Sequence, residues 1–381
     1  MIDEGRLKNT FLEMVRIDSL SRREGEMLAY LKDCFDELGL EYRTDGASKA
    51  IDGDADNLVV YVPGNVPGAE TLMFSAHMDT VGPGEGIEPV VEGDKIYAKG
   101  ETILGGDDKS GIAALLEMVR VLKENEIAHG DIELLFTVCE EVGLQGAKNL
   151  DRSLVSAKYG FVLDGDSVCA ATTKAPAALR YTATIHGKES HAGVAPEKGI
   201  NAVVLASRAI AAMPDGRIDE ETTCNIGLIE AGRAANVVPP VAKIVGEVRS
   251  RDMSKLEKLK EEIFGAFHKA VEGVSVEADG KLFEARAEVS EDDFYPTMDV
   301  AADAYTVSLA RGVVEGWGEE FKTEASGGGT DANLHNGGGI ETIILGTGMK
   351  AIHSVDEHIN FSDIVAATRL VLGIVEANAG A

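Results

Sequence analysis

Five short apolar runs alternate with longer segments of helical periodicity, and this alternation constrains the fold more than any other feature of the chain. The runs are "NLVVYV" (57–62), "TLMFSAHMD" (71–79), "DIELLFTV" (131–138), "YGFVLD" (159–164) and "ETIILG" (341–346). Between and after them, "DDKSGIAALLEMVRVLKEN" places Ile112, Leu115, Leu116, Val119 and Leu122 at helical spacing, and "FSDIVAATRLVLGIVEA" closes the chain as another helix. Two amphipathic helices open it, around "RLKNTFLEMVRI" and in "REGEMLAYLKDCFDELGL", where Met27, Leu28, Leu31, Phe35 and Leu38 share a face and Gly39 supplies a stop. Strands alternating with helices predict an α/β domain with a mainly parallel sheet.

The middle of the chain has another rhythm. From Lys174 to Asp292 the order is strand, helix, two strands, helix, strand, which predicts a small α+β, ferredoxin-like unit. The expected organisation is a discontinuous first domain, 1–173 and 293–381, interrupted by an inserted domain, 174–292. A length of 381 residues, 44% of them apolar, suits two cores.

Charge narrows the partners. Sixty-five acidic against 36 basic residues give a formal charge of -29, which repels nucleic acid and anionic membrane surfaces. "MIDEGRLKNT" carries no secretory-signal pattern and no apolar run reaches membrane-spanning length, so a cytoplasmic location is expected. Cys34, Cys139, Cys169 and Cys224 form no C-x-x-C pair and read as reduced, buried thiols.

Charged groups cluster where the predicted strands end. His77 and Asp79 end one strand, Glu140 and Glu141 follow another, Asp164 ends a third, Asp107 starts a helix, and His353 follows "TIILGTG". In open α/β sheets ligands bind beyond the carboxyl ends of the strands, so these groups converge on one rim. Imidazoles with several carboxylates suit a pair of divalent metals, zinc, cobalt or manganese. At i and i+2 on a strand, Asp79 can hold the far nitrogen of His77. In "CEEVG" one glutamate can bind metal while the other takes a proton from water. Cys139 beside them lacks a cysteine-hydrolase signature and reads as core.

Other motifs fail. "GGDDKSG" lacks phosphate-loop spacing, "SGGGTDANLHNGGG" lacks dinucleotide-loop spacing and reads as a flexible loop facing substrate, and no G-x-S-x-G elbow occurs.

In order, "SAHMDTV", "LGGDDKSGIAAL", "TVCEEVGLQGAK", "FVLDGD", "GKESHAG" and "AIHSVDEHI" resemble the M20 family of dinuclear metallopeptidases, most closely its peptidase T branch of aminotripeptidases. Related deacylases more often carry G-R-G before the bridging aspartate, where this chain has "GETILGGDDK". The resemblance implies that His77 and Asp164 bind one metal, Glu141 and His353 the other, and Asp107 bridges them. It also implies that Asp79 orients His77, Glu140 is the general base, and His191 stabilises the oxyanion, with Asn236 and Arg251 near substrate. His358 competes with His353 as a ligand and is the second choice. The expected activity is removal of the N-terminal residue from tripeptides or short peptides by a homodimer using two divalent ions, zinc foremost. Alternatives are an M20 amidohydrolase acting on N-acyl amino acids, a catalytically silent metal-binding protein, and a two-metal phosphoesterase, for which Lys109 is the only cation within two residues of a candidate metal ligand.

Overall fold

The computed structural model describes residues 1–380, which divide into two compact units, residues 1–175 with 298–380 and, separately, Pro176–Thr297. In the first, nine strands among the described residues form one mixed sheet. Its centre is parallel: Ile132–Thr137, Leu72–His77, Tyr159–Gly165 and Glu341–Gly346 lie side by side in that order. Leu58–Val62 extends it antiparallel on one side, and Ala170–Ala175 does so on the other. The central runs are apolar throughout because a strand covered on both faces has no solvent side for polar residues.

Helices supply the cover. Gly106–Asn125 buries Ile112, Leu115, Leu116, Val119 and Leu122 at 1% exposure or less and packs against Phe361–Ala379. Gly111 lets this helix approach the sheet: a Cβ there would lie 2.8 Å from the carbonyl oxygen of Leu163. The helices Glu4–Met14 and Gly25–Glu37 add Phe11, Met14, Met27, Leu31 and Phe35 to the same core. Asp3 caps the first of these through the N–H of Arg6, and Gly39, at a φ of 63°, ends the second. No described helix is long and apolar enough to cross a membrane.

The second unit carries an antiparallel sheet with strand order Gly216–Arg217, Thr222–Ala231, Val241–Ser250, Ala177–His186, Arg286–Tyr295. Two helices, Ala202–Ala212 and Met253–Val271, pack on it over a core that includes Leu179, Tyr181, Ile244, Val248, Leu259 and Phe267. Strand, helix, two strands, helix, strand in this spatial order is a ferredoxin-like arrangement.

One sequence expectation is corrected here. Part of "SGGGTDANLHNGGG" is not loop, because Asp331–Gly337 is helical. The Thr330 side chain accepts the N–H of Ala332 while the Asn333 side chain accepts that of Thr330, a reciprocal cap that satisfies the free donors at the start of a helix between glycine-rich flanks.

Candidate metal centre

Parallel strands end on the same edge of a sheet, so the segments that follow the four central strands meet on one rim. His77 is the last residue of its strand and Asp164 the penultimate residue of another. Glu140 and Glu141 follow Ile132–Thr137 after Cys139, whose φ of 52° turns the chain sharply. His353, at a φ of 61°, lies beyond Glu341–Gly346. Asp107 sits at the start of Gly106–Asn125 in a non-helical conformation, and its peptide bond to Asp108 is cis.

Asp107 is the hub. Its Oδ1 lies 3.1 Å from Nε2 of His77 and its Oδ2 lies 3.2 Å from Nε2 of His353, so the two carboxylate oxygens face different histidines. Glu141 Oε1 lies 2.9 Å from the same His353 nitrogen. One potential ligand atom from each of His77, Asp107 and Glu141 falls within 4.8 Å of the others. The other nitrogen of His77, Nδ1, donates to the main-chain carbonyl of Asp79 at 2.9 Å, with the Asp79 carboxylate further off at 3.5 Å. The carbonyl therefore fixes the ring, leaving Nε2 directed at Asp107.

The Asp79 carboxylate is engaged elsewhere. It accepts the N–H groups of Glu140 at 2.9 Å and Glu141 at 3.2 Å, and the Ser21 hydroxyl at 2.7 Å. Glu24 holds the preceding residue, accepting the Cys139 N–H at 3.0 Å and its thiol at 3.2 Å. That thiol is pushed well up by burial and by Glu24, which removes it as a nucleophile and agrees with its reading as core.

Charge is crowded in this cluster. Burial, then the nearby charge of Asp164, drives the Glu140 carboxyl well above its ordinary range, and burial with Asp107 does the same to Asp164. Burial likewise opposes charge on Asp107, yet contacts with His353 and His77 hold it well below that range. Hydrogen bonds to Asp107 and Glu141 raise His353 to about 10. Crowded carboxylates favour neutral forms unless positive charge is supplied, and divalent cations held by neutral imidazoles would supply it. Nitrogen and carboxylate donors around a two-sided aspartate also match the donor chemistry of zinc, cobalt or manganese, so the residues fit a pair of divalent cations.

Not every sequence candidate enters this contact group. Asp164 and Glu140 are electrostatic neighbours of it. His358 is in the strand His358–Asn360, its Nδ1 donating to the Asp356 carbonyl at 2.8 Å. Lys109 is fully buried and donates to the Ile17 carbonyl at 2.7 Å. His191, Asn236 and Arg251 all belong to the second unit. There Ser190–His191 pairs with Val237–Val238, and the Ala192 N–H donates to the Asn236 carbonyl at 3.0 Å, placing His191 and Asn236 on neighbouring segments. The Arg251 guanidinium donates to the Glu220 carbonyl at 3.1 Å.

Sequence reading did not single out several buried carboxylates, among them Glu24, Glu357 and Asp331. Asp331 accepts the Thr137 hydroxyl at 2.6 Å, and burial raises it to about 6. Glu24 and Glu357 meet main-chain N–H groups, which leave no signature in the sequence. Asp331 had one in the cap motif Thr330-x-x-Asn333.

Comparison with known proteins extends these observations. The sequence profile of peptidase family M20/M25/M40 matches residues 73–377. The uncharacterized protein YqjE of Bacillus subtilis (strain 168) is 41% identical over 377 residues, covering 99% of each chain. The crystal structure of aminopeptidase PepT from Bacillus cereus ATCC 10987 is 40% identical, with both chains fully covered and a TM-score of 0.88. That of a tripeptidase from Staphylococcus aureus subsp. aureus Mu50 is 35% identical, with the same coverage and a TM-score of 0.91. With a match across most of its length and relatives of this identity end to end, the chain belongs to peptidase family M20/M25/M40.

Proposed function

We propose that this chain is a metal-dependent aminopeptidase that removes the N-terminal residue from tripeptides. The observation that carries the reading is the placement of Asp107, one oxygen toward His77 and the other toward His353. A carboxylate so flanked is suited to be shared by two ions. His77 and Asp164 would hold one, Glu141 and His353 the other. Zinc, cobalt and manganese all suit these donors, and zinc is the ion we propose. When bound, the pair would supply Lewis acidity, polarising the scissile carbonyl and acidifying the attacking water.

The remaining chemistry belongs to the protein. Glu140, buried and fixed through its own N–H to Asp79, accepts the proton of the attacking water and passes it to the leaving amine. Asp79 holds both glutamates in register and fixes the His77 ring through its carbonyl. By family resemblance we assign oxyanion stabilisation to His191 and substrate contacts to Asn236 and Arg251. Aminopeptidase action is supported by the named activity of the Bacillus cereus relative, and preference for tripeptides by that of the Staphylococcus aureus relative.

We further propose a cytoplasmic homodimer. The four free cysteines suit a reducing compartment. Along residues 225–231 the strand Thr222–Ala231 pairs on one side only among the described residues, and Leu228 and Ile229 are 46% and 56% exposed there. An open strand edge with exposed aliphatic side chains favours pairing with a second copy.

The test is a substrate panel offered to the metal-loaded protein: unblocked tripeptides, dipeptides, N-terminally blocked peptides and N-acetyl amino acids, with Glu140→Gln as control. Release of the first residue from unblocked tripeptides alone supports the proposal. Turnover confined to the acetylated compounds would make the protein an amidohydrolase.

A further inference from the structure

Glu357 follows His353 by four residues and is 2% exposed. Both of its carboxylate oxygens are taken by main-chain donors of a single distant loop. Oε2 accepts the N–H groups of Leu104 at 2.8 Å and Gly105 at 2.9 Å, and Oε1 accepts that of Asp107 at 3.1 Å. The loop is folded closely around the side chain. Gly105 has a φ of 71°, and a Cβ on Gly106 would stand 3.2 Å from Oε1. At the other end, the Glu357 N–H donates to the Ser354 carbonyl at 3.1 Å, closing the turn that follows His353.

One side chain thus joins the segment that presents Asp107 to the segment that presents His353, about 250 residues apart in sequence. Burying a carboxylate is costly unless donors compensate it, and a loop staple alone could be built from a neutral acceptor. Three convergent N–H groups stabilise a charged one, and the last of them belongs to Asp107 itself. Because the two segments meet again where Asp107 Oδ2 lies 3.2 Å from His353 Nε2, any shift of one loop against the other changes that separation.

We propose that Glu357 is a positioning residue that sets the spacing of Asp107 and His353, and through it the affinity of the centre for its second cation. The inference rests on the assignment of Asp107 and His353 as ligands. Gln at 357 keeps the volume but accepts through one oxygen only, so it turns an amide NH2 toward an N–H donor. Asp keeps the charge but is one methylene too short to serve all three donors.

The experiment titrates metal-free wild type, Glu357→Gln and Glu357→Asp with cobalt(II) against a competing chelator. It records the visible absorption of the bound ions, the circular dichroism of each protein, and kcat and KM after loading. The expected result is a weakening of one of two binding steps by about 10- to 100-fold in Glu357→Gln, the usual cost of losing a partner that orients a ligand. The cobalt spectrum should change with it, kcat should fall with KM little affected, circular dichroism should stay native, and Glu357→Asp should lie between. Unchanged affinity and spectrum in Glu357→Gln, with wild type binding two ions, would overturn the positioning role while leaving the metal centre intact. Unfolding of both variants without metal would also overturn it, since Glu357 would then serve the fold as a whole. A wild type that binds no cobalt would overturn the ligand assignment and this inference together.

Discussion

Asp79 accepts the backbone N–H of Glu140 at 2.9 Å, so the residue that fixes the His77 ring also fixes the segment bearing the proposed base. The same carboxylate takes the N–H of Glu141 at 3.2 Å. Asn at position 79 would accept one of these bonds and oppose the other with its NH2 group. Asp79→Asn should therefore lower kcat by about 10- to 100-fold, as loss of an orienting partner typically does. Steady-state kinetics on the metal-loaded variant check this, and unchanged kcat would show that the turn holds itself.

Glu140 should separate chemistry from binding. Its side chain neighbours the candidate ligands electrostatically without entering the contact group of His77, Asp107 and Glu141. Glu140→Gln preserves size and removes the basic oxygen, so kcat should drop by about a hundredfold to ten-thousandfold, the usual contribution of general acid–base catalysis. Metal analysis of the same preparation should still find both ions. Loss of an ion instead would make Glu140 a ligand.

His191 should likewise separate chemistry from metal binding, because it belongs to the second unit and the proposed ligands to the first. His191→Ala should lower kcat by about a hundredfold to a thousandfold, the range for removing one oxyanion donor. Metal content should not change. Depletion of metal in this variant would place His191 among the ligands.

Acid should destabilise the first unit through His335. Burial foremost, then the charge of Arg152, lowers this imidazole from 6.5 to about 3, and its Nε2 has no hydrogen-bond partner. The folded chain then holds fewer protons at this site than the unfolded chain between those two values. Stability is fully present above pH 6.5 and is lost as pH falls toward 3, by about 1.4 kcal/mol per unit for one proton. Urea unfolding at pH 7.5 and pH 5 in wild type and His335→Leu checks the sign. The variant should lose less stability on acidification, and equal losses would assign the effect to other groups.

Much of this was readable in the residues themselves. The apolar runs at 72–77 and 132–137 became central strands because few polar residues interrupt them. That His77, Asp107, Glu141 and His353 come together was legible because each lies at or after a strand end or at a helix start, which a parallel sheet gathers on one rim. The chain did not disclose how Asp79 acts, since whether a carbonyl or a carboxylate holds an imidazole depends on a backbone path. Glu24 and Glu357 were invisible for a related reason: their partners are N–H groups that every residue but proline possesses. The helix Asp331–Gly337 was hidden by its glycine-rich flanks, although its cap residues were in plain view.

The central claim is that Asp107 is shared by two cations, and equilibrium metal stoichiometry tests it most directly. Metal-free wild type and Asp107→Asn would be dialysed against zinc, with bound metal counted per chain. Two ions per wild-type chain, falling together in Asp107→Asn, is the predicted result. A wild type that saturates at one ion, or an Asp107→Asn variant that still binds two with undiminished affinity, would contradict it.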